Sequence, residues 1–226
     1  MSGACLGYEG YAALSRLVVD RVGQAEAFDD IGSRYEYAYP HKKGQLSAGQ
    51  WLSHTLPAGS RVLDVGCGTG FPTARQLVDA GLEVVGVDLS ATMVARAREN
   101  VPEAEFHQLD LADLRDGRLG HFDAVAAFFS LLMLPRTEIP HALRMLHGHL
   151  RPGGLLALAL VEADVDDVPI PFLGNSIRVS GYLWDDLRHV VSDAGFEIVG
   201  EESHVYAPSS TELPPEIQLY LHLRRA

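Results

Sequence analysis

The feature that most constrains this chain is a glycine-rich turn that follows one apolar strand and precedes a second strand ending in an acid. Residues 62–65, Val-Leu-Asp-Val, favour a buried parallel strand, and they lead directly into Gly-Cys-Gly-Thr-Gly at 66–70. Glycines allow the backbone to turn sharply and to approach a ligand closely. Asp88 then ends a second apolar run, at 84–87. A carboxylate at that strand tip can accept hydrogen bonds from both hydroxyls of a ribose, so the pair predicts a nucleoside-cofactor site.

The spacing of the glycines indicates which kind of nucleoside cofactor the site would bind. A dinucleotide site has the pattern G-x-G-x-x-G, in which the third glycine opens a helix that receives a pyrophosphate. Here Gly66, Gly68 and Gly70 form G-x-G-x-G, and Phe71 stands at the position of the third dinucleotide glycine. This disfavours a nicotinamide oxidoreductase. Tight binding of NADH would favour that alternative instead.

The segment from Asp64 to Gly70, D-V-G-C-G-T-G, resembles the first motif of the class I S-adenosylmethionine (SAM) methyltransferases. Later segments resemble that family in the expected order: an acid and an apolar residue at 110–111, F-D at 122–123, L-R-P-G-G at 150–154 and A-G-F at 194–196. The resemblance runs from about Glu26 to the C-terminus and is closest to the small-molecule branch of the family.

The resemblance implies an α/β, Rossmann-like sheet of seven strands in the order 3-2-1-4-5-7-6, with the last strand antiparallel and helices on both faces. The residue pattern itself alternates strands with helices, which favours a parallel sheet. It predicts strands near 62–65, 83–87, 104–108, 122–128 and 154–161, and helices near 11–22, 25–37, 45–54, 71–80 and 91–100. Segments 196–206 and 218–224 predict a terminal antiparallel hairpin.

The chain is predicted to be a single domain over residues 1–226, because this length supports one well-buried core but not two full domains. Two segments fall outside the minimal fold. Residues 1–56 are predicted to form an N-terminal helical lid, and residues 164–181 an insertion over the active site. Within the insertion, Gly174-Asn175 between short apolar runs predicts a hairpin.

The resemblance also implies which residues contact SAM, and hence its product S-adenosyl-L-homocysteine (SAH). Asp64 and the backbone of Phe128 would face the methionine ammonium, and Asp88 the ribose. Asp110 would accept the adenine amino group. The full set of predicted cofactor-binding residues is Tyr35, Asp64, Gly66, Gly68, Gly70, Asp88, Leu89, Asp110, Leu111 and Phe128.

Composition argues against several other classes of partner. The net charge is −12 and the isoelectric point is near 5.2, whereas nucleic-acid-binding proteins usually present a basic face. No apolar run reaches the ~18 residues of a membrane helix, and the N-terminus lacks a signal-peptide pattern. The histidines show no metal-ligand spacing, so no metal is predicted. We expect a cytoplasmic protein with a small-molecule substrate; the pattern leaves its oligomeric state open.

The predicted function is transfer of the methyl group of SAM to a small-molecule acceptor, at oxygen or nitrogen, by in-line displacement. The alternative is a SAM-binding fold that does not methylate, such as a cyclase or isomerase of a biosynthetic pathway. For a weakly acidic hydroxyl acceptor, His41 is the predicted general base, with His204 and Tyr206 as alternatives. Lys42 and Lys43 are either a pair of solvated side chains, or one of them contacts the methionine carboxylate of SAM.

Overall fold

The computed structural model of the protein describes residues 21–38, 40–207 and 215–226. Its strands are β1 (Arg61–Val65), β2 (Glu83–Asp88), β3 (Glu105–Gln108), β4 (Phe122–Phe128), β5 (Leu150–Val161), β6 (Val168–Phe172), β7 (Asn175–Val179), β8 (Phe196–Tyr206) and β9 (Glu216–Arg225). Its α-helices are α1 (Arg21–Ile31), α2 (Arg34–Ala38), α3 (Lys43–Thr55), α4 (Thr73–Asp79), α5 (Ala91–Asn100), α6 (Ile139–His149) and α7 (Trp184–Asp193). Short 3₁₀ helices span Leu111–Asp116 and Leu131–Met133.

Seven strands form one sheet in the order β3-β2-β1-β4-β5-β9-β8. Strand β9 pairs antiparallel with both β5 and β8, and the pairs among β1 to β5 are parallel. Because the insertion adds β6 and β7, the sixth and seventh strands of the predicted order are β8 and β9. The predicted strand order and the antiparallel last strand are therefore confirmed.

The two faces of the sheet carry separate hydrophobic cores, because successive side chains of a strand point to opposite faces. Leu63 and Val65 of β1 belong to the core that includes residues of α6 and α7. Val62 belongs to the core on the other face, with residues of α3, α4 and α5. This two-sided burial explains why the β1 segment is apolar almost throughout.

A third and smaller cluster holds the N-terminal helix α1 against the insertion. Ala27 and Ile31 of α1 are buried together with Phe172 of β6 and Ile177 of β7. The side-chain amide of Gln24 donates to the backbone carbonyls of Met133 and Arg178, at 3.0 and 3.1 Å. Helix α1 and the β6–β7 hairpin thus form one unit, called the cover below, whose four buried residues belong to neither core of the sheet.

Three details of the local predictions are wrong. The helix predicted over 25–37 is two helices, since Gly32 adopts a positive φ of 48° between α1 and α2. The helix predicted over 71–80 begins at Thr73. The predicted hairpin is present, but its turn is Leu173-Gly174, where both residues have a positive φ, rather than Gly174-Asn175.

The helix predicted over 11–22 lies almost wholly outside the described residues, as do the first 20 residues of the predicted lid. None of the helices in the described ranges combines the length and apolar character that a bilayer crossing requires.

Candidate active site

A cavity of about 620 Å³ lies at the carboxyl ends of the parallel strands, beneath the cover formed by α1 and the hairpin. Ligands of open α/β sheets bind at this edge. Ten of the eleven predicted site residues border the cavity: Tyr35, His41, Asp64, Gly66, Gly68, Asp88, Leu89, Asp110, Leu111 and Phe128. Gly70 does not, because it faces α5, where a Cβ would lie 3.0 Å from the Val101 side chain.

The glycine turn after β1 brings backbone to the cavity wall. Gly66 and Gly68 have φ values of +69° and +53°, which favour glycine. A Cβ at Gly66 would lie 2.5 Å from the Cβ of Ser130. The close approach of Ser130 to this backbone is therefore a second reason for a glycine at position 66. A Cβ at Gly68 would instead meet no other side chain of the described residues within 4 Å. The turn therefore leaves open space beside Gly68, as a cofactor cradle requires.

Asp88 is held at the tip of β2 by two backbone amides. The Gly68 N–H donates to Oδ2 and the Ser90 N–H donates to Oδ1, each at 2.9 Å. Burial raises the pKa of the Asp88 carboxyl, and the amide bonds oppose that rise. Each carboxylate oxygen has a further lone pair. The side chain is thus fixed with acceptor capacity left for a ligand.

Asp64 is the most unusual charged group of the cavity. Its side chain is only 2% exposed, and Oδ2 is buried without a hydrogen-bond partner among the described residues. Burial raises the pKa of this carboxyl to about 7, and the nearby charge of Asp88 adds to the rise. A buried, unpartnered carboxylate oxygen is energetically costly, so the site is suited to a cationic ligand. The buried hydroxyl of Ser130 likewise lacks a partner within the described part of the chain.

Asp110 has a structural function as well as a place at the cavity. Its Oδ1 accepts from the Ala112 N–H at 2.8 Å and caps the 3₁₀ helix that follows β3. Its Oδ2 lies 3.0 Å from the Nε of Arg21, which also pairs with Glu138. The long-range partner Arg21, on α1, fastens the cover to this end of the cavity.

The cover is also fastened at the first turn of α5. Asp29 of α1 accepts from the Ser90 hydroxyl at 2.5 Å and from the Thr92 N–H at 2.9 Å. Ser90 also donates its backbone N–H to Asp88, so this one residue is hydrogen-bonded both to the cover and to the acid at the tip of β2. Tyr35 of α2 lies on the cavity wall with the Lys42 ammonium 5.4 Å from its ring centroid.

The far end of the cavity is bordered by the start of β9. Glu216, Gln218 and Tyr220 lie two residues apart on one face of that strand and all three border the cavity. The Tyr220 hydroxyl donates to Gln218 Oε1 at 2.9 Å, and Gln218 Nε2 donates to Glu216 Oε1 at 2.8 Å. Tyr206 of β8 is the register partner of Glu216, and its hydroxyl faces the backbone of His41.

Several cavity residues were not predicted. Ser130 follows β4 and carried no local signal, since its place depends on the close approach of Gly66. Glu216 had a usable signal: an antiparallel strand begins at the edge where its parallel neighbours end, so the first residues of the final strand reach the cavity. Arg21 depends on the docking of the cover, which the local pattern does not encode.

The comparisons with known proteins agree with this geometry. The family model described as a methyltransferase domain matches residues 62–154. An uncharacterized methyltransferase of Synechocystis sp. is 30% identical over 211 residues, which cover 90% of this chain and 88% of that protein. The dTDP-3-amino-3,4,6-trideoxy-α-D-glucopyranose N,N-dimethyltransferase of Streptomyces venezuelae is 31% identical over 155 residues, which are 62% of this chain and 64% of that protein.

A solved structure gives the same picture of the fold. The 1,6-didemethyltoxoflavin-N1-methyltransferase of Burkholderia thailandensis, solved with 1,6-didemethyltoxoflavin and SAH, superposes with a TM-score of 0.67. The match covers 100% of this chain and 93% of that one at 20% sequence identity. At that identity the likeness concerns the fold.

Proposed function

This chain belongs to the class I SAM-dependent methyltransferase family, and from that premise we propose that it transfers the methyl group of SAM to a small-molecule acceptor in the covered cavity. The observation that carries the proposal is the buried Asp64 carboxylate, whose Oδ2 has no partner within residues 21–38, 40–207 and 215–226 and which borders the cavity beside the open space at Gly68. Such a group fits the ammonium of the methionine moiety.

The remaining parts of SAM fit the other groups of the wall. Asp88, fixed by two backbone amides, would accept the ribose hydroxyls, with Leu89 beside it. Asp110 and the backbone of Leu111 would contact the adenine, and Tyr35 would cover the methionine end. When bound, SAM supplies a methyl group already activated on a sulfonium, so the protein needs chiefly to align donor and acceptor and to exclude water.

The cover supplies the walls of the acceptor site. The hairpin contributes Ile170, Phe172 and Val179, and the 3₁₀ helix after β4 contributes Leu132 and Met133. These side chains suit an apolar acceptor body. The Streptomyces venezuelae relative is named for an amino sugar linked to dTDP, which supports a small-molecule acceptor.

His41 is the proton acceptor that we propose for a hydroxyl substrate. It borders the cavity next to Lys42, and the Tyr206 hydroxyl faces its backbone. A hydroxyl must lose its proton as the methyl group arrives, and an imidazole within hydrogen-bond reach can take it.

The proposal is tested by binding and by transfer of label. Calorimetry on the full chain should show binding of SAM and SAH and none of NADH; binding of NADH alone would contradict the cofactor assignment. Methyl-labelled SAM is then incubated with a panel of small alcohols, phenols, amines and carboxylic acids. Label should move into one class of acceptor. Conversion of an acceptor while all label stays on SAM would instead establish the non-methylating alternative.

A further inference from the structure

We propose that the acceptor is an amine and that the Glu216 carboxylate binds its nitrogen. The proposal rests on the proposed methyl transfer and concerns the same cavity. It follows from the position of Glu216 at the start of β9, from its hydrogen-bond partners and from the charges around the cavity.

Glu216 is held by a short hydrogen-bond chain that leaves one of its oxygens for a ligand. The chain runs from the Tyr220 hydroxyl through the Gln218 amide to Glu216 Oε1. Of the described residues, none supplies a cation that pairs with this carboxylate. A carboxylate oriented in this way, without a counter-ion, is suited to the N–H groups of an amine.

The cavity wall as a whole is negatively charged, as Glu216 is. The wall includes the carboxylates Asp64, Asp88, Asp110, Glu162 and Glu216. Its two described long-chain cations are Arg21 and Lys42. Arg21 is occupied by Asp110 and Glu138, and the Lys42 ammonium lies near the Tyr35 ring and the Phe71 carbonyl. Apart from the Asp110–Arg21 pair, the described wall thus has four carboxylates and one lysine ammonium, so an acceptor with a carboxylate or phosphate is disfavoured and a cationic head group is attracted.

Among the acids of the wall, Glu216 is the one available to the acceptor. Glu162, just after β5, accepts from the Trp184 N–H at the first residue of α7, at 3.2 Å, so the N-terminus of that helix already stabilises its negative charge, whereas Glu216 accepts from a neutral side-chain amide. Asp64, Asp88 and Asp110 are assigned to the cofactor, and Asp110 also pairs with Arg21. Glu216 is instead the register partner of Tyr206, whose hydroxyl faces the backbone of His41, the residue proposed to act on the acceptor.

The transfer step balances with Glu216 as the first proton acceptor. An ammonium entering the site gives one proton to the Glu216 carboxylate, which frees the nitrogen lone pair. The nitrogen then bonds to the methyl carbon while the carbon–sulfur bond breaks and its electron pair returns to sulfur. The products are the N-methylated ammonium and SAH, and the proton on Glu216 passes to water.

The test measures binding to the SAH-loaded full chain by ligand-observed NMR. The probes are three apolar groups, phenethyl, cyclohexylmethyl and indolylethyl, and each is tested with an amine, a hydroxyl and a carboxylate head group. For at least one of the three apolar groups, the amine should bind about tenfold more tightly than the alcohol. Glu216→Gln should remove that preference. Glu216→Asp should keep it, because the charge remains. SAH affinity should stay within twofold in each variant.

A matched control and a second readout make the test decisive. Glu197→Gln removes an exposed carboxylate on β8, remote from the cavity, and should change no affinity. With labelled SAM, Glu216→Gln should lower kcat/KM for the preferred amine at least tenfold at an unchanged KM for SAM. Equal binding of the three head groups, including no binding at all, would overturn the proposal. Transfer to alcohols or acids alone would also overturn it while leaving the proposed methyl transfer intact.

Discussion

Replacement of Asp88 by alanine gives the sharpest prediction about the cofactor site. The carboxylate is held by the amides of Gly68 and Ser90, and it is proposed to accept the two ribose hydroxyls. A hydrogen bond to a charged acceptor contributes roughly 1.5–3 kcal/mol, so loss of two such bonds would cost at least about 3 kcal/mol if nothing replaced them. Water entering the vacated space offsets part of that loss. We therefore expect the SAM affinity of Asp88→Ala to fall at least about tenfold.

The same substitution has a smaller effect on stability. Two backbone amides lose their acceptor, which destabilises the fold, but removal of a buried carboxylate whose pKa is raised relieves an unfavourable burial. The two effects oppose each other, so the variant should remain folded. Asp88→Asn keeps one acceptor oxygen and should have an intermediate affinity.

Isothermal calorimetry with SAH measures the affinity, and thermal unfolding followed by circular dichroism reports the fold. Asp193→Ala, which removes an exposed carboxylate at the end of α7, is the control and should bind like the parent. Parent-like SAH affinity in a folded Asp88→Ala variant would refute the assignment of the ribose to β2.

Asp64, His41 and Gly68 can each be tested by one substitution. Asp64 must ionise to pair with an ammonium and its pKa is raised to about 7, so SAH affinity should fall up to about tenfold per unit as pH decreases from 7 to 5. Because the folded chain keeps the Asp64 proton at pH values where the unfolded chain has lost it, the free protein should lose stability as pH rises from about 4 towards 7. Calorimetry and melting curves of Asp64→Asn should show neither slope. Where the label screen returns a hydroxyl acceptor rather than an amine, His41→Asn should lower its turnover about 10²-fold with SAM affinity within threefold, and turnover within threefold of the parent would remove His41 from the mechanism. Gly68 and Gly117 both have a positive φ and open space where a Cβ would lie, so Gly117→Ala is a matched control for Gly68→Ala. Each substitution should cost about 1–2 kcal/mol of stability in urea titrations. Only Gly68→Ala should weaken SAH binding, by tenfold or more.

The sequence was most informative where local pattern and cofactor chemistry coincide. The β1 segment is apolar because both of its faces are buried, and the glycines beyond it adopt backbone conformations that other residues avoid. Those two properties are visible in consecutive residues. The strand order came from the family resemblance, since pairing between distant strands leaves no local trace.

The predictions were weakest where distant segments meet. The break at Gly32 was missed because the helical pattern of residues 25–37 is nearly continuous, and one positive φ suffices to interrupt it. The Arg21–Asp110 ion pair joins residues far apart in the chain, so only the docked cover reveals it. Glu216 could have been inferred from the antiparallel final strand, but the predicted strand began two residues later, at Gln218.

The central claim is that the methyl group of SAM leaves for an acceptor bound in this cavity. The most direct measurement is ¹³C NMR of a single turnover with SAM labelled at the methyl carbon, in the presence of the full chain and the amine selected by the binding screen. We expect the sulfonium methyl signal of the parent to disappear at the rate at which an N-methyl signal grows, and both changes to be much slower in Glu216→Gln. A sulfonium signal that persists while the acceptor is consumed would contradict the claim.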